Sequence, residues 1–176
     1  MHTAYIGLGS NLGDSLGLLE KAWLELGNHS EIKLISLASP YVSKPMDMVS
    51  ENWFVNSAGS LITTMNPRDL LDFLHQTEEQ FGRKRPSSTL GYADRSLDLD
   101  LLFYDNVVID GAGSMVIPHP RLHERLFVLM PLGELAPDLC HPVLHRTIKW
   151  LLSDLTVYSS EQEVRRIQWD ETIDFR

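Results

Sequence analysis

The stretch Arg95–Phe103, with the sequence RSLDLDLLF, constrains the fold of this chain more than any other. Apolar residues occupy every second position, and this period of two predicts a β-strand with one face in a core. Asp98 and Asp100 then point to the same side of the strand, with Cβ atoms about 6–7 Å apart. Two carboxylates at that distance can hold one or two Mg²⁺ ions, which leave their other positions to water and phosphates. The alternative is a half-exposed strand whose two aspartates are solvated.

A cluster of basic residues precedes this strand. Arg83, Lys84 and Arg85 follow a predicted helix, and Arg95 opens the acidic strand. Cations at the end of a helix also complement the helix dipole, which is a purely structural explanation for the cluster. Beside a pair of carboxylates, however, guanidinium groups are suited to grip a polyphosphate carried by Mg²⁺. The two features together favour a site for a polyphosphate.

Composition and charge limit the classes of function. The chain has 176 residues, of which 43% are hydrophobic, and its net charge is −9. This length predicts a single domain over residues 1–176, and the acidic balance argues against nucleic acid as a partner. Cys140 is the sole cysteine, which excludes an intrachain disulfide and suits a reducing cytoplasm. No apolar run approaches the roughly 20 residues of a membrane span, so we expect a cytoplasmic protein that acts without a membrane and as a monomer.

The predicted elements follow the order β-α-β-β-α-β. Asp14 or Ser15 caps the first helix, and Asn66 and Pro67 open the second. A long irregular stretch, Pro40–Trp53, separates the second and third strands. The four predicted strands are Thr3–Leu8, Ile32–Ser39, Phe54–Thr64 and Leu97–Tyr104. This order is that of the ferredoxin-like sandwich, so the predicted fold class is α/β (α+β), an antiparallel β-sheet flanked by helices.

The remainder of the chain is predicted to be mostly helical. Asp105 and Asn106 indicate a hairpin turn into a strand at Val107–Asp110. Amphipathic patterns predict helical segments within Ile117–Leu135 and His145–Leu155. A final stretch, at residues 164–169, is predicted to add an edge strand.

Two motifs are considered and rejected. The segment Gly7–Gly13 resembles a dinucleotide-binding fingerprint, but Leu12 stands where the third glycine should fall, so we interpret the segment as a strand-to-helix turn. Two H-x-x-x-H pairs occur in the C-terminal half. Neither has the glutamate of the H-E-x-x-H motif or a third ligand at a clear spacing, so zinc is not predicted.

Four segments in this order carry a resemblance to a known family: Ala4–Gly13, Arg95–Phe103, Ile117–Phe127 and Pro131–Pro137. The chain resembles 6-hydroxymethyl-7,8-dihydropterin pyrophosphokinase of folate biosynthesis. The resemblance implies transfer of the β,γ-diphosphate of ATP to the hydroxymethyl oxygen of the pterin, with release of AMP. It also implies two Mg²⁺ ions as cofactors, and ATP and the pterin as the small-molecule partners.

The same resemblance implies the site residues. Asp98 and Asp100 are implied as the metal ligands, and the implied catalytic residues are Arg85, Arg95, Asp98 and Asp100. The residues implied for ATP binding are Glu78, Arg83, Arg85, Tyr92, Arg95, Leu101, His119 and Arg125. Those implied for the pterin are Ser43, Met46, Phe54, Asn56 and Phe127. Aromatic faces and an amide that offers both a donor and an acceptor suit a flat heterocycle with amide-like edges.

The sequence departs from the family pattern in its loops. Tyr92 stands where most members have tryptophan, Asp47 replaces a usual glycine, and Glu51 opens an atypical run before Phe54. Asp94 adds a carboxylate that we expect to repel ATP unless a cation compensates it. We further expect the loops around residues 46–53 and 86–94 to close over bound substrates, since the transfer must exclude water.

Two other functions remain open from the sequence. A paralogue could keep the pocket and have lost turnover, a reading that the altered loops favour and the intact aspartates oppose. An RNA-binding module is a second alternative, since ferredoxin-like folds also bind RNA. The net charge of −9 opposes that alternative.

Overall fold

The computed structural model describes residues 1–46, 50–83, 94–111, 115–158 and 162–173. Its central layer is a six-stranded antiparallel sheet. The strands of this sheet are β1 (His2–Ser10), β2 (Ile32–Leu37), β3 (Tyr41–Ser43), β4 (Phe54–Thr63), β5 (Asp98–Tyr104) and β10 (Val164–Arg166). They lie in the order β10-β3-β4-β1-β5, and β2 pairs with the same edge of β4 as β3 does. Taking β2 and β3 as one interrupted strand, this is the predicted ferredoxin-like order, and the predicted fold class is confirmed.

Helices cover both faces of the sheet. The helices are α1 (Ser15–Leu26), α2 (Pro67–Gln80), α3 (Leu126–Leu135) and α4 (Ile148–Tyr158). One buried cluster joins α1 and α2 to the sheet through residues such as Leu19 and Leu74. A second cluster joins α3 and α4 to the other face through residues such as Leu129 and Leu151. The sheet therefore lies between two apolar cores, one on each of its faces.

The local signals at the helix ends are confirmed. The Asp14 carboxylate accepts a hydrogen bond from the Gly17 N–H at 3.1 Å, which caps α1. Asn66 caps α2 by accepting from the N–H groups of the first turn, and Pro67 occupies the first helical position. Gly82 has a φ of +84°, a left-handed conformation that suits the chain just after a helix.

A bulge interrupts the alternation of β5. Tyr5 of β1 pairs with Phe103 and Ile6 pairs with Leu101, so Leu102 is an extra residue in β5. Leu101 lies in the α1/α2 core, whereas Leu102 and Phe103 both lie in the α3/α4 core. The prediction that Phe103 shares the face of Leu101 is therefore wrong, because the bulge shifts the side-chain period by one residue.

The stretch predicted to be irregular, Pro40–Trp53, contains a short strand. β3 occupies Tyr41–Ser43 and pairs with the first residues of β4, while β2 ends at Leu37 rather than at Ser39. A strand of three residues is too short to show a period of its own. It is a strand only because it pairs with β4.

The C-terminal half contains more short strands than predicted. The predicted turn at Asp105 and Asn106 is present, and a strand, β6 (Ile109–Gly111), begins two residues later than predicted. The predicted hairpin pairing is wrong, since β6 pairs with β7 (Met115–Ile117) and not with β5. A second hairpin joins β8 (Cys140–His141) and β9 (Arg146–Thr147).

The helical predictions of this half hold only in their later parts. A single turn of 3-10 helix at Leu122–Glu124 precedes α3, because prolines at 118 and 120 lack the N–H groups that a regular helix needs. The last helix begins at Ile148 rather than at His145, whose φ of 51° is not helical. The predicted edge strand is confirmed, as β10 pairs with β3.

None of the helices in these described ranges is long and apolar enough to span a membrane.

Candidate active site

An open cleft lies where β1 ends and β4 and β5 begin, beneath the first turn of α3. Antiparallel neighbours place these three strand ends at one edge of the sheet, so residues far apart in sequence meet there. Nine of the predicted site residues line the cleft: Ser43, Met46, Phe54, Asn56, Arg95, Asp98, Asp100, Arg125 and Phe127.

Three paired residues form the floor of the cleft. Gly9 of β1 pairs with Asn56 of β4 on one side and with Asp98 of β5 on the other. A Cβ atom at Gly9 would lie 3.2 Å from the Asn56 Oδ1 and 3.8 Å from the Asp98 Cβ. Glycine therefore keeps the main chain bare between the amide and the carboxylate, which explains a glycine in the middle of the motif that sequence analysis left without a function.

Asp98 is held by two guanidinium groups. Arg95 donates from Nη1 to the Asp98 Oδ2 at 2.5 Å, and Arg83 donates to the other carboxylate oxygen. Arg83 also pairs with Glu78, whose Oε1 accepts from the Leu99 N–H at 2.7 Å. Glu78 is 1% exposed, so this carboxylate is a buried anchor that fixes Arg83 beside β5.

Asp100 has a different electrostatic environment. Burial, followed by repulsion from Asp98, raises the pKa of Asp100 well above its ordinary value, although Arg125 and Arg95 oppose the shift. Two half-buried carboxylates on one strand face form a site that a divalent cation would stabilise. The oxygen donors fit Mg²⁺, which requires only one or two protein carboxylates when phosphates complete its coordination.

His119 lies next to the bulge of β5. Its backbone N–H donates to the Leu102 carbonyl at 3.0 Å. Burial, followed by the positive charge of Arg125, lowers the pKa of His119 to about 4. The Nδ1 atom accepts from the Arg121 N–H at 3.3 Å, which places the proton of the neutral ring on Nε2. His119 is therefore a neutral donor near the site at physiological pH.

Aromatic and amide groups form the part of the cleft away from Asp98 and Asp100. Phe54 and Phe127 both line it, and the guanidinium groups of Arg95 and Arg125 lie 5.9 and 5.6 Å from the centroids of those two rings, respectively. Asn56 donates from Nδ2 to the Ser43 Oγ at 2.9 Å. This bond orients the amide so that its Oδ1 lies above Gly9.

The Asp94 carboxylate accepts hydrogen bonds from three side chains. Its Oδ1 accepts from the Asn11 Nδ2 at 2.6 Å and from the Ser50 Oγ at 2.7 Å, and its Oδ2 accepts from the Asn52 Nδ2 at 3.0 Å. The bonds from Ser50, Asn11 and Asn52 lower the pKa of Asp94. Neutral donors thus stabilise the ionised form of Asp94, which keeps its negative charge, whereas the sequence had suggested a compensating cation.

The other predicted residues lie around the cleft or outside the described ranges. Glu78, Arg83 and His119 sit behind Asp98 and β5. The Leu101 side chain is packed in the α1/α2 core, so only its main chain is available to ATP. Arg85 and Tyr92, and the larger part of the loops predicted to close, lie outside the described residues.

Two residues of the site escaped the sequence analysis. Asn11 is 5% exposed and binds both main-chain groups of Arg95: its Oδ1 accepts from the Arg95 N–H at 2.8 Å, and its own N–H donates to the Arg95 carbonyl. Lys44 lines the cleft, and its Nζ lies 5.5 Å from the centroid of the Trp53 ring. The available signal in the sequence was Asn11 itself, a polar residue directly after a strand that contains two glycines.

A cleft with two carboxylates, several guanidinium groups and an aromatic pocket on one sheet defines a class of protein that binds a small aromatic molecule together with an anion. Comparisons with known proteins make this class specific. The profile of the family described as "7,8-dihydro-6-hydroxymethylpterin-pyrophosphokinase (HPPK)" matches residues 5–137. The chain therefore belongs to this family.

Curated relatives agree with the family profile. The "2-amino-4-hydroxy-6-hydroxymethyldihydropteridine pyrophosphokinase" of Haemophilus influenzae is 38% identical over 142 residues, which cover 81% of this chain and 86% of the relative. The "Bifunctional protein FolKE" of Lactococcus lactis subsp. lactis is 34% identical over 173 residues, which cover 98% of this chain. The match spans only 47% of that bifunctional relative.

A solved structure agrees in fold. The chain named HPPK-DHPS of Plasmodium falciparum superimposes with a TM-score of 0.70 at 15% sequence identity. The match covers 91% of this chain and 42% of the other. At this identity the similarity concerns the fold.

Proposed function

We propose that this protein transfers the β,γ-diphosphate of ATP to the hydroxymethyl oxygen of 6-hydroxymethyl-7,8-dihydropterin. The observation that carries the proposal is that Asn56, Gly9 and Asp98 pair in one row. An amide suited to the edge of a heterocycle and a carboxylate suited to a metal ion therefore lie on one floor of the cleft. A reaction between a flat heterocycle and a metal-bound polyphosphate requires both groups within reach of one reacting centre.

The pterin is assigned to the part of the cleft between Phe54 and Phe127. Aromatic rings provide large apolar faces for a flat heterocycle. Asn56, which Ser43 holds in one orientation, offers an acceptor to the donors on the edge of the pterin. Family membership and the lining of the cleft both support this assignment.

The phosphates of ATP are assigned to the side of Asp98 and Asp100. Mg²⁺ held by these two carboxylates would neutralise phosphate charge and orient the diphosphate, and we propose two ions. Arg95 and Arg125 line the same side, and each guanidinium can form paired hydrogen bonds with phosphate oxygens. The phosphates of ATP would compete with Asp98 for Arg95, so binding of the nucleotide exchanges one charge-assisted hydrogen bond for another.

In the transfer, the hydroxymethyl oxygen of the pterin attacks the β-phosphorus, and its proton is released to solvent. The bond between this phosphorus and the oxygen shared with the α-phosphate breaks, and AMP leaves with that oxygen. The protein residues contribute position and charge rather than covalent chemistry. His119, as a neutral donor, is suited to a phosphate oxygen because it adds a hydrogen bond that does not depend on pH above about 5.

The proposal includes the organisation of the protein. We propose a single catalytic domain over residues 1–176 that works as a monomer in the cytoplasm as part of folate biosynthesis. The two small-molecule substrates are its only proposed partners. The single cysteine and the acidic net charge support this view.

Separation of nucleotide products tests the reaction. The purified protein is incubated with ATP, Mg²⁺ and the dihydropterin alcohol, and the nucleotides are separated by chromatography. AMP formed only in the presence of the pterin supports diphosphate transfer. ADP would indicate a phosphoryl kinase, and binding of both substrates with no product would indicate a non-catalytic paralogue.

A further inference from the structure

A segment outside the family match contacts both sides of the cleft. The family profile ends at residue 137, whereas residues 162–166 follow α4 and include β10. Gln162 binds the chain at the start of α3, and Glu163 and Val164 bind the end of β3. Three consecutive residues therefore hold two walls of the cleft in place.

Gln162 uses both ends of its side-chain amide. Its Oε1 accepts from the Leu126 N–H at 2.8 Å, and its Nε2 donates to the Glu124 carbonyl at 2.8 Å. Leu126 and Glu124 are the two neighbours of Arg125, so the amide spans the main chain of Arg125 on both sides. A bidentate contact of this kind fixes the direction of the chain as well as its position.

The helix needs this partner at its N-terminus. The first N–H groups of a helix have no acceptor within the helix and require a cap. Arg125 stands at the capping position of α3 and forms no side-chain cap hydrogen bond. Gln162 thus supplies, from a distant segment, the acceptor for the first N–H of α3, at Leu126.

The residues after this cap are those assigned to the substrates. Arg125 is 6% exposed and lines the cleft, and Phe127 follows in the first turn of α3. The Arg125 guanidinium lies 5.6 Å from the centroid of the Phe127 ring. A shift of the main chain at Leu126 would move both side chains relative to the sheet floor.

The neighbouring residues extend the same contact to the other wall. The Lys44 N–H donates to the Glu163 carbonyl at 3.2 Å, and the Lys44 Nζ pairs with the Glu163 carboxylate at 2.6 Å. Val164 pairs with Ser43, which orients Asn56. Gln162 is thereby anchored to the strand that faces α3 across the cleft.

We propose that Gln162 is a positioning residue that sets Arg125 and Phe127 against the sheet floor; this inference rests on the proposed function. Its effect passes through the main chain of residues 124–126. The residue to be compared is Gln168, which follows this segment by two residues and is exposed. In the described part of the chain, its hydrogen bonds to Glu171 come from its main chain and not from its side chain.

The first test measures binding without turnover. Affinities for 6-hydroxymethylpterin and for α,β-methylene-ATP with Mg²⁺ are determined for Gln162→Ala, Gln168→Ala and the unchanged protein. Loss of two hydrogen bonds predicts about a tenfold loss in pterin affinity for Gln162→Ala, with a smaller loss for the nucleotide analogue. Gln168→Ala is expected to bind both ligands as the unchanged protein does. Equal affinities for Gln162→Ala and Gln168→Ala would overturn the proposal.

A double-mutant cycle separates positioning from a general structural role. If Gln162 acts through Phe127, Gln162→Ala should weaken pterin binding less in a Phe127→Ala background than alone. Full additivity would show that Gln162 does not act through that ring. If Gln162→Ala fails to fold, Gln162→Glu takes its place, since its carboxylate still accepts from Leu126 but cannot donate to Glu124.

Amide exchange provides a readout that needs no ligand. The Leu126 N–H should exchange faster in Gln162→Ala than in Gln168→Ala, because its acceptor is gone. Unchanged exchange at Leu126 would overturn the positioning role. A protein that shows the predicted exchange and binding changes but forms no AMP would refute the proposed reaction and leave the role of Gln162 intact.

Discussion

At the scale of single residues, the charge of the site depends on two aspartates with different neighbours. Asp98 is paired with Arg83 and Arg95, whereas desolvation and repulsion from Asp98 raise the pKa of Asp100. The same pair therefore has one carboxylate that is already compensated and one that a cation would compensate. Because of this asymmetry, substitution of the aspartates should affect turnover and thermal stability differently.

We predict that Asp98→Asn and Asp100→Asn each lower AMP formation at least about a hundredfold at saturating Mg²⁺, because each removes a charged metal ligand. Thermal unfolding without Mg²⁺ should show an unchanged or slightly raised midpoint for Asp100→Asn, since the change removes repulsion between carboxylates. Asp110→Asn, at an exposed position of β6, is the control. Near-normal turnover of either site variant would contradict the metal assignment.

His119 gives a prediction about pH. Its pKa is about 4 in the folded protein and about 6.5 in an unfolded chain. Between these values the unfolded state binds more protons at His119, so the contribution of His119 to the free energy of unfolding should rise as the pH increases from about 4 to about 6.5 and should be level above that. The shift corresponds to at most about 3 kcal/mol.

His119→Gln should remove this part of the pH dependence. Urea unfolding of both proteins at several pH values between 4 and 8 measures it, and the difference between the two curves isolates His119 from the other titrating groups. A difference that stays constant across the range would show that His119 is not held neutral by the fold.

At the scale of elements, two glycines on neighbouring strands serve opposite purposes. A Cβ atom at Gly59 of β4 would lie 2.3 Å from the Trp23 ring, so this glycine is required for packing α1 on the sheet. Gly9 of β1 instead borders the cleft, where a Cβ would approach the Asn56 Oδ1 at 3.2 Å. The same substitution should therefore have different effects at the two positions.

Gly59→Ala is predicted to destabilise the protein by about 1–3 kcal/mol, because the added methyl group overpacks the core. Gly9→Ala is expected to change stability much less and to weaken pterin binding several-fold, since the methyl group enters the floor of the cleft. Urea unfolding and equilibrium binding of 6-hydroxymethylpterin measure the two effects. Similar losses of stability in both variants would contradict the distinction.

The sequence predicts elements where the signal is local and fails where the partner is distant. Asp14 and Asn66 identify the helix starts because a cap is a contact within one turn. β3 has three residues, and only its pairing with β4 makes it a strand. The bulge at Leu102 is likewise invisible in a sequence of alternating leucines, because it arises from the register with β1.

The same limit applies to the site. Asp98 and Asp100 are predictable from the alternation of the strand, and Arg83, Arg85 and Arg95 from the basic cluster beside it. The remaining assignments came from resemblance to a family. Asn11 and Gln162 were not predicted, because both act on main-chain groups of distant segments. No pattern of side chains along the chain records such a contact.

At the scale of the whole molecule, Asp94 joins three segments around the cleft. Asn11 follows β1, Ser50 and Asn52 belong to the loop before β4, and Asp94 itself leads to Arg95. The sides of the cleft proposed for the pterin and for the nucleotide are therefore connected through one carboxylate.

We predict that Asp94→Ala weakens binding of both 6-hydroxymethylpterin and α,β-methylene-ATP several-fold, because it releases the loop and Arg95 together. The affinities of Asp94→Asn should lie between those of the unchanged protein and those of Asp94→Ala. The asparagine oxygen can still accept from Asn11 and Ser50, but its amide nitrogen cannot accept from Asn52. Titration calorimetry of each ligand measures the losses. Asp138→Ala, at an exposed position, is the control, and a loss confined to one ligand would contradict the connection.

The bare main chain at Gly9 also bears on inhibitor design. A compound resting there would press against peptide atoms, which are the same whatever residue is encoded. An added side chain could block the compound only by filling the space above Asn56 and Asp98. A substitution here that excluded the compound would, under the proposed function, also hinder the pterin, so few substitutions at Gly9 could separate inhibitor from substrate.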